Sequence, residues 1–585
     1  VGLPGVDIAI KPVRSYVYGA LAAHLLGYVG APDDTNKEEA RKFSFYQSDV
    51  EGKSNVEKSM DEYLRGKPGV RYMRRNAKGA IDGVLREEPP QAGSNVVLTL
   101  DARLQMIAEE ALRAVGRGAA VVVDPNNGNI LAMASVPSFD PNTFIPSIKA
   151  KDWELLRKNE ANPLINRAIS AFPPGSTFKL VTSLAGLRRG LAQQRFNCSG
   201  GVSYGDHFFK CWISEKGGAH GTLGLSDAIK VSCNSFFYQF GNAAGINAID
   251  ETGETLGLGK SSGLEITGEQ PGVLPGPEWM RVNYPREKWT SAYTANVSIG
   301  QGFDLVSPLQ LAMVYATVAN GGVSYFPRLI KDVVGADGRL IMNDNGQPVI
   351  SREPRVHGDL RNDFKPEQIE LARRGLWKVV NEDGGTGGKA RLPGVQVAGK
   401  TGTAQAMTDG KKDTIAWFAC FAPYDSPKYA IAVMVQGGAH GGSVAAPIAT
   451  RILERALAME EGHFDPQLAW LAPANKPDPF QMLEAVNFKD AGPNLLGDDE
   501  ENLDASDANV QLSASTAEPD VEPEADARGK VIPKAQRVVR AQPVAPAPQP
   551  ARRPNFLQRL FGARPAPQPA PQPVRRGAPP RRSNP

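Results

Sequence analysis

The chain has 585 residues, with 66 Lys and Arg against 63 Asp and Glu for a formal charge of +3, and it is 41 % hydrophobic and 22 % charged. That composition excludes a wholly disordered chain, a collagen and a disulfide-dense mini-protein, and so even a charge balance argues against nucleic acid as the main partner. No run approaches about 18 consecutive apolar residues, so no segment reads as a membrane span. Val1 is preceded by neither an initiator Met nor a signal peptide, and the expectation is a chain whose targeting segment was removed.

Residues 1–93 mix charges, glycines and short apolar runs. They contain the turn signal Gly66-Lys67-Pro68-Gly69 and end in the linker-like Glu87-Glu88-Pro89-Pro90. This reads as a small, non-compact α/β module. A large globular domain is expected over 94–464. Its first strand is Asn95 to Leu100, after which Asp101 can cap a helix with apolar residues at Leu104, Ile107, Ala108 and Leu112. Ala120 to Val123 and Ile130 to Met133 flank Asn126-Asn127-Gly128, a hairpin turn that suits positive φ. A helical centre follows from about Lys151 to Thr317. Strands return at Val395 to Gln405, Thr414 to Phe421 and Tyr429 to Val435, and a helix from about Ala446 to Met459 closes the domain. The hairpin and these three strands predict an α+β fold, an antiparallel five-stranded sheet with helices on both faces. Residues 465–585 are first acidic, then free of acidic residues after Asp526 and rich in Pro and Arg. Such a tail is expected to be disordered, with Phe556-Leu557-Gln558-Arg559-Leu560-Phe561 its one apolar island.

Phe172-Pro173-Pro174-Gly175-Ser176-Thr177-Phe178-Lys179 carries the strongest chemical signal. Pro-Pro-Gly breaks the chain before a helix whose apolar residues fall at Leu180, Val181, Leu184 and Leu187. Ser176 and Lys179 then share one face of the first turn. A serine hydroxyl needs a base, and a lysine shifted by burial and neighbouring cations can supply one. Alone, the pair reads equally as a helix-capping serine followed by a surface lysine. Two further fragments change that: Ser232-Cys233-Asn234 opens an apolar run, and Lys400-Thr401-Gly402-Thr403 lies in an expected strand whose Gly402 would let a substrate backbone approach.

Ser-x-x-Lys, Ser-x-Asn and Lys-Thr-Gly, in that order, resemble the signature of penicillin-binding proteins and class A β-lactamases. The chain most resembles the class B penicillin-binding proteins, specifically their elongation-type penicillin-binding protein 2 group. Arg14 to Gly30 and the Gly52-Lys53-Ser54…Leu64-Arg65-Gly66 stretch look like that group's pedestal motifs. The resemblance implies the penicillin-binding transpeptidase fold on an elongated, N-terminally truncated pedestal or dimerisation-like module. It implies a peptidoglycan D,D-transpeptidase that β-lactams acylate at Ser176. Lys179 would take the serine proton. Ser232 would relay a proton to the leaving group, Asn234 would position the substrate amide, and Lys400 would support the site electrostatically. Thr401 and Thr403 would bind the terminal carboxylate. The resemblance further implies stem peptides as substrate, a membrane-embedded glycan polymerase and the elongation machinery as partners, no organic cofactor, and a periplasmic catalytic domain held at the inner membrane by an N-terminal anchor absent from this chain. The rival readings are a β-lactamase, a D,D-carboxypeptidase, or a non-catalytic β-lactam receptor or wall-precursor scaffold.

Cys198, Cys211, His220 and Cys233 form the pattern Cys-x12-Cys-x8-His-x12-Cys. Three thiolates and an imidazole suit a tetrahedral structural Zn²⁺, and some members of the resembled group carry zinc in this region. One disulfide plus a free thiol is the alternative. Cys420 reads as core, and His207 and His440 as loop residues outside the set.

Overall fold

The computed structural model describes residues 13–31, 50–79, 81–408, 411–438, 440–464 and 466, with one pair of two-residue strands, Glu524–Ala525 and Val531–Ile532. The rest of the tail, Phe556 to Phe561 included, lies outside the described residues.

Apolar runs dominate three strands of the central sheet and the second half of a fourth, while the remaining edge strand carries Lys400 to Thr403. The strands are β1 (Gly118–Val123), β2 (Ile130–Val136), β3 (Ala398–Thr408), β4 (Lys411–Ala422) and β5 (Tyr429–Gln436). They pair antiparallel in the order β3-β4-β5-β1-β2. Gly128 turns the β1–β2 hairpin at φ 77°. β1 and β5 are buried at every position, which requires cover on both faces. Helix α1 (Ala102–Arg113) and a C-terminal helix (Ala446–Glu460) pack together on the sheet, and the fully buried helix Pro308–Ala319 packs on it separately. Asp101 caps α1 by accepting the Arg103 N–H, an interaction worth about 1 kcal/mol.

Three features differ from the sequence expectation. The strand expected over Asn95 to Leu100 ends at Leu98, and it pairs with Ile330–Val334 outside the five-stranded sheet. Pro366–Asn381 is a long helix; its buried Ile369, Ala372, Leu376, Val379 and Val380 follow the helical period. Between 196 and 223 the expected helical centre opens into two small strand pairs, Phe196–Cys198 with Gly221–Leu223 and Gly201–Tyr204 with His207–Lys210.

The N-terminal module carries an exposed hairpin, Val70–Arg75 with Ile81–Glu88. It docks on the catalytic domain through backbone groups of residues 16–24 and the His24 side chain. Ala22 N–H donates to buried Glu109 (2.8 Å), and Tyr16 exchanges both its backbone bonds with the Asn142 amide (2.9 Å each). His24 Nε2 donates to the Pro163 carbonyl (2.8 Å), while the His24 carbonyl accepts from Asn166 (3.1 Å). Among the described residues no helix is long and apolar enough to cross a membrane.

Burial pushes His24 down to about 4 from its ordinary value, so the folded protein holds it neutral. The unfolded chain therefore binds a proton that the folded chain refuses between those two values. The contribution is complete above about pH 6.5 and lost as pH falls towards 4, by about 3 kcal/mol in all. Urea unfolding of the protein and of His24→Gln across this window should show the parent losing stability more steeply on acidification; parallel curves would count against it.

Candidate active site

The turn that carries Ser176 is held from three sides. Phe172 exchanges both backbone bonds with Val306 (2.9 Å each), and Gly175 N–H donates to Gly300 (2.9 Å). Trp417 of β4 donates its indole N–H to the Pro173 carbonyl (2.8 Å), and Tyr315 donates to the Thr177 carbonyl (3.2 Å). Gly175 adopts φ 53°, and a Cβ there would stand 2.5 Å from the Thr403 carbonyl. The turn thus abuts β3, the edge strand of the sheet, and no side chain fits between them. Ser176 lies in a 3-10 turn, Gly175–Phe178, that passes into helix α2 (Lys179–Arg188).

Lys179 and Lys400 are completely buried, and Ser176 keeps 8 % exposure. Buried ammonium groups need partners, and both find the same one. Ser232 Oγ accepts from Lys400 Nζ at 2.8 Å and from Lys179 Nζ at 3.1 Å. Lys179 also donates to the Ser232 carbonyl (2.8 Å) and to Asn234 Oδ1 (2.6 Å), with its ammonium 5.5 Å from the Phe237 ring centre. Lys400 donates in addition to the Thr401 carbonyl (3.0 Å). Ser232 reaches this position with φ 54°, left-handed for a residue other than glycine; such backbone costs about 1–2 kcal/mol. Its hydroxyl accepts twice and so keeps its one proton free for a third group.

Asn234 opens helix α3 (Asn234–Ala244), and Cys233 caps it by accepting the Phe236 N–H at 3.4 Å. Thr401 and Thr403 are buried on β3, and Thr403 Oγ1 accepts from Gly441 N–H (3.4 Å). Gly402 differs from its expected role. A Cβ there would meet the Pro174 carbonyl and Thr177 Cγ2, both at 2.9 Å. Its missing side chain admits the Ser176 turn.

The three stretches quoted from the sequence therefore converge. The structure adds a hydroxyl that the sequence did not single out: Thr386 Oγ1 lies 2.8 Å from Thr401 Oγ1. Its only sequence signal is an isolated side chain within Gly384-Gly385-Thr386-Gly387-Gly388.

The ligand atoms of Cys198, Cys211, His220 and Cys233 all lie within 4.8 Å of one another. Strand pairing of Cys198 with Gly221 brings His220 alongside, and the cap position brings Cys233. His220 Nδ1 is 3.6 Å from Cys198 Sγ and 3.5 Å from Cys211 Sγ, and Cys211 Sγ is 3.9 Å from Cys233 Sγ. All four cysteines are free. Hydrogen bonds from Cys211 and Cys233 hold Cys198 well below the usual thiol range. Cys420 is fully buried in β4, and burial raises it. His207 begins a strand against the Phe209 ring, outside the cluster.

Residues 118–454 match the family model of the penicillin binding protein transpeptidase domain, and residues 1–98 match that of the penicillin-binding protein dimerisation domain. The chain is 36 % identical over 459 residues to the peptidoglycan D,D-transpeptidase MrdA of Acinetobacter baumannii, covering 76 % of this chain and 66 % of that one. Among solved structures it is similar to Pseudomonas aeruginosa PBP2 in complex with WCK 5153, with a TM-score of 0.65, 31 % identity and coverage of 77 % and 92 %. It is equally similar, at a TM-score of 0.65, to PBP2 in a complex with MreC from Helicobacter pylori, with 28 % identity and coverage of 77 % and 80 %.

Proposed function

The chain belongs to the penicillin-binding protein transpeptidases, which makes it a peptidoglycan D,D-transpeptidase, and we propose that Ser176 is its nucleophile, with Lys179, Ser232, Asn234 and Lys400 completing the catalytic group. The observation that carries this reading is the Ser232 hydroxyl held between buried Lys179 and Lys400, with Lys179 one turn of chain from the slightly exposed Ser176.

In the reaction, Ser176 Oγ attacks the carbonyl between the two terminal D-alanines of a stem peptide, and Lys179, which enters this step as the neutral amine, takes the proton that the serine releases. The backbone N–H groups of Ser176 and Thr403, brought together by the abutting turn and strand, stabilise the oxyanion. The C–N bond then breaks. Ser232 gives its free proton to the departing D-Ala amine and is recharged from the lysines that hold it. Asn234 fixes Lys179 and the substrate amide. Thr401 and Thr403 receive the terminal carboxylate. An amine of a second strand attacks the acyl-enzyme, restores Ser176 and leaves a cross-link. A β-lactam enters the same path by ring opening and stays as the acyl adduct.

Zinc fits the four-residue cluster. A tetrahedral ion with bonds of about 2.3 Å to sulfur and about 2.0 Å to nitrogen has S–S edges near 3.8 Å and S–N edges near 3.5 Å, close to the spacings among these side chains. Cys198, Cys211, His220 and Cys233 would hold it. Its chemistry there would be structural: those four side chains would tie the strand pairs to Cys233, between Ser232 and Asn234. The reading extends to a periplasmic catalytic domain held at the inner membrane, working in elongation beside a glycan polymerase. Its support is the dimerisation-type module and the similarity to a PBP2 that occurs in a complex with MreC.

Fluorescent penicillin should label the protein one-to-one on the Ser176 peptide, and Ser176→Ala should take no label; label elsewhere would reject the assignment. Elemental analysis of protein purified without chelator should give about one zinc per chain. A chelator should then lower the melting temperature in parallel with zinc loss, and a zinc content far below one would contradict the metal.

A further inference from the structure

The loop Gly384-Gly385-Thr386-Gly387-Gly388 presents one side chain in five residues. The glycines let it lie flat on the end of the helix Pro366–Asn381. A Cβ at Gly385 would stand 2.3 Å from the Val379 carbonyl, and Gly387 N–H donates to that same carbonyl at 2.9 Å. The loop is pinned on its other flank by the stretch leading into Ser232. Thr386 N–H donates to the Lys230 carbonyl (3.4 Å), and the Lys230 ammonium pairs with Glu382 at 3.1 Å. Gly442 closes the third side: a Cβ there would stand 2.7 Å from the Thr386 carbonyl. Held in this way, the half-buried Thr386 places Oγ1 2.8 Å from Thr401 Oγ1.

We infer that Thr386 is a positioning residue for recognition of the substrate's terminal carboxylate: its hydroxyl donates to Thr401 Oγ1 and thereby directs the Thr401 proton at the carboxylate. The inference rests on the reading of Thr401 as a carboxylate ligand. Two hydroxyls at this distance share one proton between them in either direction. A carboxylate breaks the tie, because it only accepts. Thr401 must give it its single proton, so the proton between the two threonines comes from Thr386. Donation into Thr401 Oγ1 also polarises that hydroxyl and strengthens the bond it makes to an anion. The same loop joins the Ser232 stretch to β3, so the carboxylate site and the Ser232 site share one support.

The test compares acylation by benzylpenicillin and by its methyl ester, which lacks the anion. The ratio of second-order acylation constants, acid over ester, reads carboxylate recognition alone. Thr386→Val keeps the shape and removes the hydroxyl; it should lower the ratio about tenfold through weaker initial binding, with the acylation step itself within about twofold. Thr386→Ser should restore the ratio. An unchanged ratio in Thr386→Val, an equal loss for acid and ester, or failure of Thr386→Ser to rescue would each overturn the inference. Thr401→Val separates the two levels. If it leaves the ratio intact, the reading of Thr401 itself falls; if it collapses the ratio while Thr386→Val does not, only the role of Thr386 falls.

Discussion

One shared hydroxyl organises the catalytic domain. Lys179 comes from a helix behind the nucleophile and Lys400 from the edge of the sheet, and both are sealed from water. Two ammonium groups this close repel, and each would be costly to bury alone. Ser232 Oγ serves both at once, and the Ser232 and Thr401 carbonyls with Asn234 Oδ1 satisfy further donors. Charge-assisted bonds of this kind contribute roughly 1.5–3 kcal/mol each, enough to offset the left-handed backbone that Ser232 must adopt. The left-handed backbone and the shared hydroxyl sit at the same residue.

The rest of the fold serves to keep that residue and its neighbours in register. β3 can lie against the nucleophile turn only because Gly175 and Gly402 bring no side chain between them. Trp417 and Tyr315 tie the turn to the sheet and to the buried helix behind it. Cys233, between Ser232 and Asn234, lies in a cluster with Cys198, Cys211 and His220. The N-terminal module grips the segment leading to the nucleophile at Pro163 and Asn166, through His24. The Trp417 and Tyr315 ties act on the backbone of the turn.

How much of this was legible depended on the range of the interaction. Ser176 and Lys179 are three residues apart, so helical periodicity alone places them together. Asp101 as a cap, the Gly128 hairpin and the three C-terminal strands are likewise local signals, and the structure carries all of them. Pairing of Asn95–Leu98 with Ile330–Val334 joins segments more than 230 residues apart, and no local pattern encodes it. The helix Pro366–Asn381 is written in its periodicity, but it lies between the helical centre and the C-terminal strands, where the expectation names no element. The positive φ of Ser232 and the contact of Thr386 with Thr401 escape sequence reading because both are set by what packs around them. Gly402 shows the same limit from the other side: a glycine on a strand announces a close approach, but not of what.

The central claim is that Lys400 acts through the hydroxyl of Ser232 rather than beside it. A double-mutant cycle on the penicillin acylation rate, with Ser232→Ala, Lys400→Ala and the pair, measures that directly. The account predicts that each single change slows acylation by on the order of 10²–10³ and that the double variant is about as slow as the slower single one. Rate losses that simply multiply would show two independent groups and contradict it.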